Sequence, residues 1–249
     1  MITPGALAIG ISAAFVVGFA KTALPGSGLL AITLIATVAT GRLLPGASLP
    51  ILLAGDVFAV TWYRRHARWD LLRPLSVWVG AGYLLGMAFF VVVGEATRAL
   101  EVTIGLIIVV MVAIHAWRLY RASGGPSTSA TPAYGTAGGF TTFVANTGGP
   151  VMNTYLAGLR LDKEEMIGTL AVFYLMVNLV KIPLYVGLGE WSAGGRFFTW
   201  ESLGYDALIL PGVGLGVLVG RRVFRIIPQR TFLVLVLVLS ALGAAKLLV

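Results

Sequence analysis

Gly135-Thr-Ala-Gly-Gly-Phe-Thr-Thr-Phe-Val-Ala-Asn146-Thr-Gly-Gly-Pro150-Val-Met-Asn-Thr-Tyr-Leu-Ala-Gly-Leu159 is apolar along most of its length, and Asn146-Thr147-Gly148-Gly149-Pro150 interrupts it at the middle. Cut there, it leaves two pieces of about 11 residues, or ~17 Å each at 1.5 Å rise. The hydrocarbon core of a bilayer is ~30 Å thick, so neither piece crosses alone. The stretch therefore reads as a helical hairpin that enters and leaves by one membrane face. Non-helical backbone at that depth is tolerated only where protein or a wet cavity satisfies its polar groups. The break should line something.

The rest of the chain supports a membrane setting. Of 249 residues, 58% are hydrophobic and 11% charged, and the mean hydropathy is +0.92, whereas soluble domains carry roughly 25% charged residues. Eight apolar segments follow one another, at about 6–40, 48–64, 71–93, 97–118, 135–159, 166–187, 203–221 and 230–249. The first residues lack the basic stretch and cleavage site of a removable signal peptide. The absence of cysteine excludes disulfides, thiolate metal sites and cysteine nucleophiles. A net charge of +8 reads as the Lys/Arg excess of cytoplasmic loops rather than as a nucleic-acid surface.

Ser123 to Pro132 is a Gly/Ser/Thr/Pro tract that cannot bury a core, and residues 123–134 read as a flexible linker. It divides an N-terminal repeat (1–122) from a C-terminal repeat (135–249). Gly18-Phe19 followed by Pro25-Gly26-Ser27-Gly28 echoes Gly139-Phe140 followed by Asn146 to Pro150. Without a gap, Gly55 to Tyr63 lies over Val177 to Tyr185, which pairs Asp56 with Asn178 and Tyr63 with Tyr185. If the first segment of each half is a re-entrant hairpin, three spanning helices remain per half and the second repeat is inverted. Twelve Lys and Arg then fall on one side, in loops 64–73, 118–134, 160–165 and 221–230, and only Arg42, Arg98 and Arg196 on the other. By the positive-inside rule those loops are predicted cytoplasmic. The expected fold is an all-α polytopic membrane protein of two inverted repeats, each a re-entrant helical hairpin plus three transmembrane helices.

Lys21, Asp56 and Lys181 lie deep in apolar segments, where an ionisable residue costs at least ~2.5–3.5 kcal/mol and marks a functional site by default. A structural ion pair of Asp56 with one lysine is the plainer alternative. Pro150 suits the first turn of a new helix, and Asn146, Thr147 and Ser27 are capping residues. Two helix starts at mid-membrane add roughly +1 of partial charge to the +1 left by two lysines and one aspartate. An anion would balance that site. The candidate binding residues are Lys21, Thr22, Ser27, Gly28, Asn146, Thr147, Gly148, Val151, Asn178 and Lys181, with Asp56 as counter-ion or carrier of a coupling proton. Gly82, Gly86, Gly212, Gly216 and Gly220 have small-xxx-small spacing and read as helix-packing positions.

Other chemistry is poorly supported. His66 and His115 have no metal-like neighbours, and no Walker motif is present for ATP. Gly26-Ser27-Gly28 has the look of an intramembrane serine nucleophile, but without a base beside it. No cofactor or metal is expected.

These residues together resemble the TauE/SafE (sulfite exporter) family of membrane anion transporters. The resemblance rests on Gly18-Phe19-x-Lys21, Gly55-Asp56 before Tyr63-Arg64-Arg65, Ala145-Asn146-x-Gly148-Gly149-Pro150, Gly168-Thr169, Asn178-x-x-Lys181-x-Pro183, and Gly220-Arg221 leading to Ile227-Pro228-x-Arg230. At the first break the chain carries Thr22-Ala23-Leu24-Pro25 where the family pattern is richer in glycine. The resemblance implies movement of small sulfur-containing or carboxylic anions across the bacterial inner membrane, coupled to an ion gradient. The functional expectation is a secondary transporter working by alternating access at a mid-membrane site, with an anion channel or an intramembrane serine hydrolase as alternatives.

Overall fold

A computed structural model describes residues 4–25, 27–35, 43–92, 128–191 and 196–232, with single positions as far as 238. The predicted fourth segment, most of the eighth, and linker positions 123–127 lie outside the described residues. The helices are α1 (Pro4–Thr22), α2 (Gly28–Ile35), α3 (Leu43–Tyr63), α4 (Trp69–Val92), α5 (Thr131–Ala145), α6 (Gly149–Gly158), α7 (Lys163–Trp191) and α8 (Trp200–Ile226), and no strand occurs among the described residues. Five of them, α1, α3, α4, α7 and α8, are long and apolar enough to cross a membrane.

Their polarity is inside out. Val77, Leu84 and Val91 on α4 and Leu208, Leu215 and Leu218 on α8 are exposed, whereas Asp56, Asn178 and Lys181 are buried. A helix in water does the reverse; here the outer face meets lipid and the polar groups need partners within the bundle. The chain is an all-α, multi-pass membrane protein.

Small residues determine which helices touch. α1 runs parallel to α8: the Tyr205 hydroxyl donates to the Ala6 carbonyl, and Gly212, Gly216 and Gly220 face Ile11, Phe15 and Phe19 in turn. A Cβ on Gly216 would overlap the Phe15 carbonyl oxygen. In the same way α5 runs beside α4, with Gly82 against Thr136 and Phe140 and Gly86 against Phe143. Gly82 lies against the Phe140 N–H as Gly216 lies against the Phe19 N–H. Two tyrosines make similar bonds. Tyr63 donates to the Thr22 carbonyl at 3.3 Å, and Tyr185 donates to the Phe143 carbonyl.

Both interrupted segments turn back. Ala6 at the start of α1, Ile35 at the end of α2 and Leu43 at the start of α3 line one cavity. The Thr131 and Tyr155 hydroxyls, from the start of α5 and the second half of α6, are 2.7 Å apart. The end of α3 meets the end of α8, where the Tyr63 and Phe224 rings pack at 5.3 Å and the Arg221 guanidinium lies 4.6 Å over Trp62. Because α4 begins there, it runs opposite to α8, and the hairpins alongside them enter from opposite ends. The Lys163 ammonium also sits at this basic end and donates to the Phe224 and Ile227 carbonyls at 3.1 and 2.9 Å, capping α8.

One boundary differs from the sequence reading. Residues 128–134, placed in the linker, are helical: Thr128–Ala130 is one 3-10 turn and Thr131 starts α5. Pro132 sits in the first turn of α5, where its missing N–H costs nothing. The first arm of the second hairpin is therefore longer than a half-membrane piece, 15 residues in α5, and α1 in the first hairpin runs to 19. The tips consequently pass one another. Asn146 reaches Pro45 and Ser48 in the first turns of α3, and the Asn153 amide of α6 donates to the Pro25 carbonyl at 3.0 Å.

Candidate functional site

Between the passing tips lies a cavity bounded by Lys21 and Ala20 of α1, Pro25 of the first turn, Gly28 of α2, Asn146, Thr147, Gly149 and Pro150 of the second turn, and Tyr174 and Asn178 of α7. The space open to water centres is about 70 Å³. One water needs roughly 10–15 Å³ by that measure, so the cavity holds a ligand of a few heavy atoms.

Local chemistry explains the second turn. Asn146 ends α5 in the left-handed conformation, φ 55° and ψ 25°, and its N–H bonds back to the Thr141 and Thr142 carbonyls; asparagine is among the few non-glycine residues that tolerate this region. Pro150 then sits in the first turn of α6. The starts of α2 and α6 both border the cavity, and the first N–H groups of any helix lack intrahelical partners.

Two lysine clusters flank it. Lys21 Nζ is 2.6 Å from Asp56 Oδ1, and the Asn178 amide donates to Asp56 Oδ2 at 2.6 Å. Both carboxylate oxygens are thus engaged, and Asp56 is fully buried. Lys21 Nζ also lies 4.3 Å above the Tyr174 ring, a cation–π geometry. Lys181, fully buried, donates to the Thr142 carbonyl at 3.1 Å, to Thr142 Oγ1 at 3.3 Å and to Asn146 Oδ1. Three acceptors around Nζ match the three donors of an ammonium.

The candidate residues divide into three groups. Lys21, Gly28, Asn146, Thr147 and Asn178 border the cavity. Asp56 and Lys181 stand behind it, each holding a bordering residue. Thr22, Ser27, Gly148 and Val151 face elsewhere. Thr22 donates to the Gly18 and Val217 carbonyls, at 2.9 and 3.3 Å, so its hydroxyl looks toward α8. Ser27 donates to the Leu24 carbonyl within its own turn. A Cβ on Gly148 would come within 2.8 Å of Thr142 Cβ, so this glycine serves the packing of the turn on α5, and Val151 is fully buried in the core. Among the described residues no group of His, Asp or Glu gathers as a metal site.

Tyr174 was absent from the sequence-derived set. Its hydroxyl is buried with no hydrogen-bond partner among the described residues, and the same holds for Asn178 Oδ1. A Cβ built on Gly149 would lie 3.9 Å from that hydroxyl, which places it at the start of α6. The signal that could have found it is its position four residues before Asn178, one turn along the same face of α7.

Neither the curated proteins nor the solved structures contain a match to this chain. The family model of the sulfite exporter TauE/SafE matches residues 10–247 and so takes in α1 from Gly10 onward and every other helix that borders the cavity. The chain belongs to the sulfite exporter TauE/SafE family of membrane transporters.

Proposed function

We propose that this protein is a secondary transporter of small oxyanions, sulfite-like or short sulfonates and carboxylates, that binds its substrate between the two hairpin tips. The observation that carries the reading is a small cavity where Lys21 lies beside two buried polar atoms without partners among the described residues, the Tyr174 hydroxyl and Asn178 Oδ1. A buried polar atom without a partner costs ~1–3 kcal/mol, which a ligand removes. Because the Asn178 amide nitrogen is committed to Asp56, its oxygen faces the cavity as an acceptor and needs a donor. A hydrogen-bearing oxyanion, such as hydrogen sulfite, supplies one O–H to Asn178 and oxygens to Lys21, Tyr174 and the start of α6.

In this reading Lys21 carries the charge that attracts the anion, and Asp56 holds Lys21 in place. Lys181 fixes Asn146 and with it the second tip. The halves are inverted repeats, and rocking of one against the other exposes the cavity to each side alternately. The basic end of the bundle faces the cytoplasm of a bacterial inner membrane, and an ion gradient drives the cycle.

Purified protein in proteoliposomes tests this. Saturable counterflow of labelled sulfite, accelerated by unlabelled sulfite on the opposite side, is expected; flux without trans-acceleration would indicate a channel instead. Lys21→Ala should abolish anion-induced thermal stabilisation while the protein remains inserted, and wild-type affinity in that variant would refute the site. Ser27→Ala should retain full transport, which removes the serine hydrolase reading.

A further inference from the structure

A second cavity lies at the other end of α8 from the basic cluster. It is bounded by Ala6 of α1, Ile35 of α2, Ala47 and Ile51 of α3, and Tyr205 and Asp206 of α8, and about 260 Å³ of it is open to water centres. Asp206 is only 3% exposed, and its Oδ2 has no hydrogen-bond partner among the described residues. A carboxylate so placed on a membrane-spanning helix is either functional or paired, and no ion pair joins Asp206 to a described cation.

We propose that Asp206 is a proton-binding site, the group that takes up and releases the coupling proton of this transporter from the face opposite the basic cluster. The neighbouring oxygens argue for a proton over a metal cation. Thr199 Oγ1 accepts from the Ser202 N–H, and Ser202 Oγ accepts from the Thr199 N–H and donates to the Thr199 carbonyl, which closes the capping box of α8. Tyr205 donates its hydroxyl to Ala6. These groups are committed, whereas sodium or calcium would call for several oxygens converging on one point. A proton needs one.

Among the described residues the titratable groups around the cavity are Glu201, Tyr205 and Asp206 itself, all on α8, and α1, α2 and α3 present Ala6, Ile35, Leu43, Ala47 and Ile51 to it. An ionised Asp206 requires water in the cavity, and a neutral one lets the apolar walls close. Tyr205, the preceding residue, bonds the first turn of α1, the long arm of the first hairpin. Protonation at Asp206 thereby bears on how that hairpin sits against α8.

This inference rests on the transporter reading, and its first readout does not. Infrared difference spectra of the purified protein between about pH 5 and pH 9 should show a buried protonated-carboxyl C=O band that appears as pH falls. The band should be lost in Asp206→Asn and retained, shifted, in Asp206→Glu. In proteoliposomes Asp206→Asn should lose accumulation driven by a pH gradient while counterflow stays within about twofold of wild type. A band unchanged in Asp206→Asn, or a carboxyl ionised across the whole range, overturns the proposal. PH-driven accumulation that survives in Asp206→Asn also overturns it. Failure of wild-type counterflow would count against the transporter reading alone, because the spectroscopic result stands without it.

Discussion

Replacing Lys21 by methionine removes one partner of a buried pair, and the consequences for folding and for binding should separate. At 2.6 Å and an effective dielectric constant of about 20, the attraction between two unit charges is about 6 kcal/mol. Desolvation offsets much of this, but deleting one partner of a buried pair leaves the other unpaired and costs ~3–5 kcal/mol. Lys21→Met should lose that much stability, because Asp56 keeps only the Asn178 amide. Asp56→Asn should lose a similar amount, since Lys21 keeps only the Tyr174 face. The double variant Lys21→Met/Asp56→Asn has no orphaned charge and should be more stable than either single one, with a coupling energy of at least ~2 kcal/mol. Denaturant titration in mixed micelles, followed by the fluorescence of the six tryptophans, measures all four corners of the cycle. Anion-induced thermal stabilisation should stay lost in the double variant, because the charge that attracts the anion is gone. Additive losses would refute the ion-pair account, and anion binding regained in the double variant would refute the role of Lys21 in the site.

Tyr174→Phe removes a buried hydroxyl that bonds no described residue, so ligand-free stability should rise by ~1–3 kcal/mol while anion affinity in a thermal-shift titration falls about tenfold, the worth of one hydrogen bond to a charged group. Gly216→Ala drives a methyl group into the Phe15 carbonyl and should cost ~1–3 kcal/mol, whereas Gly80→Ala on α4 meets nothing within 4 Å and should be neutral in the same denaturant assay. Lys163→Met uncaps α8 and should cost about 1 kcal/mol, seen as a lower thermal midpoint that Lys163→Arg partly restores.

Much of the architecture was legible because membrane depth is unforgiving. A charge or a Gly-Pro break inside an apolar run has few explanations: Lys21 and the Asn146–Pro150 turn border one cavity, with Asp56 bonded to Lys21 and Lys181 to Asn146 behind it. The gapless match of Gly55–Tyr63 with Val177–Tyr185 was also informative: Asp56 and Asn178 are bonded to each other, and Tyr63 and Tyr185 make equivalent bonds to the two hairpins. Side-chain direction was less legible. Thr22 neighbours Lys21 in sequence, yet a one-residue step turns it about 100° around α1 and toward α8. Lys181 stands behind Asn146 because hydrogen bonding to three acceptors, not proximity in sequence, determines where its ammonium rests. Tyr174 looked like one more aromatic in an apolar run, since nothing in a linear chain marks a hydroxyl that will lack a partner.

The contact between Asp56 and Asn178 limits how such a site can be built. If the halves are the repeats proposed above, matching positions meet there, and two identical subunits would place two aspartates or two asparagines face to face. Paired carboxylates at that distance cannot both ionise, and paired amides would leave Lys21 without a counter-charge. Fusing the halves into one chain lets the two positions differ, so a carboxylate can meet an amide and a single lysine can be held beside the cavity. Asn178→Asp would restore likeness at that point and, with it, a pair of acids obliged to share one proton.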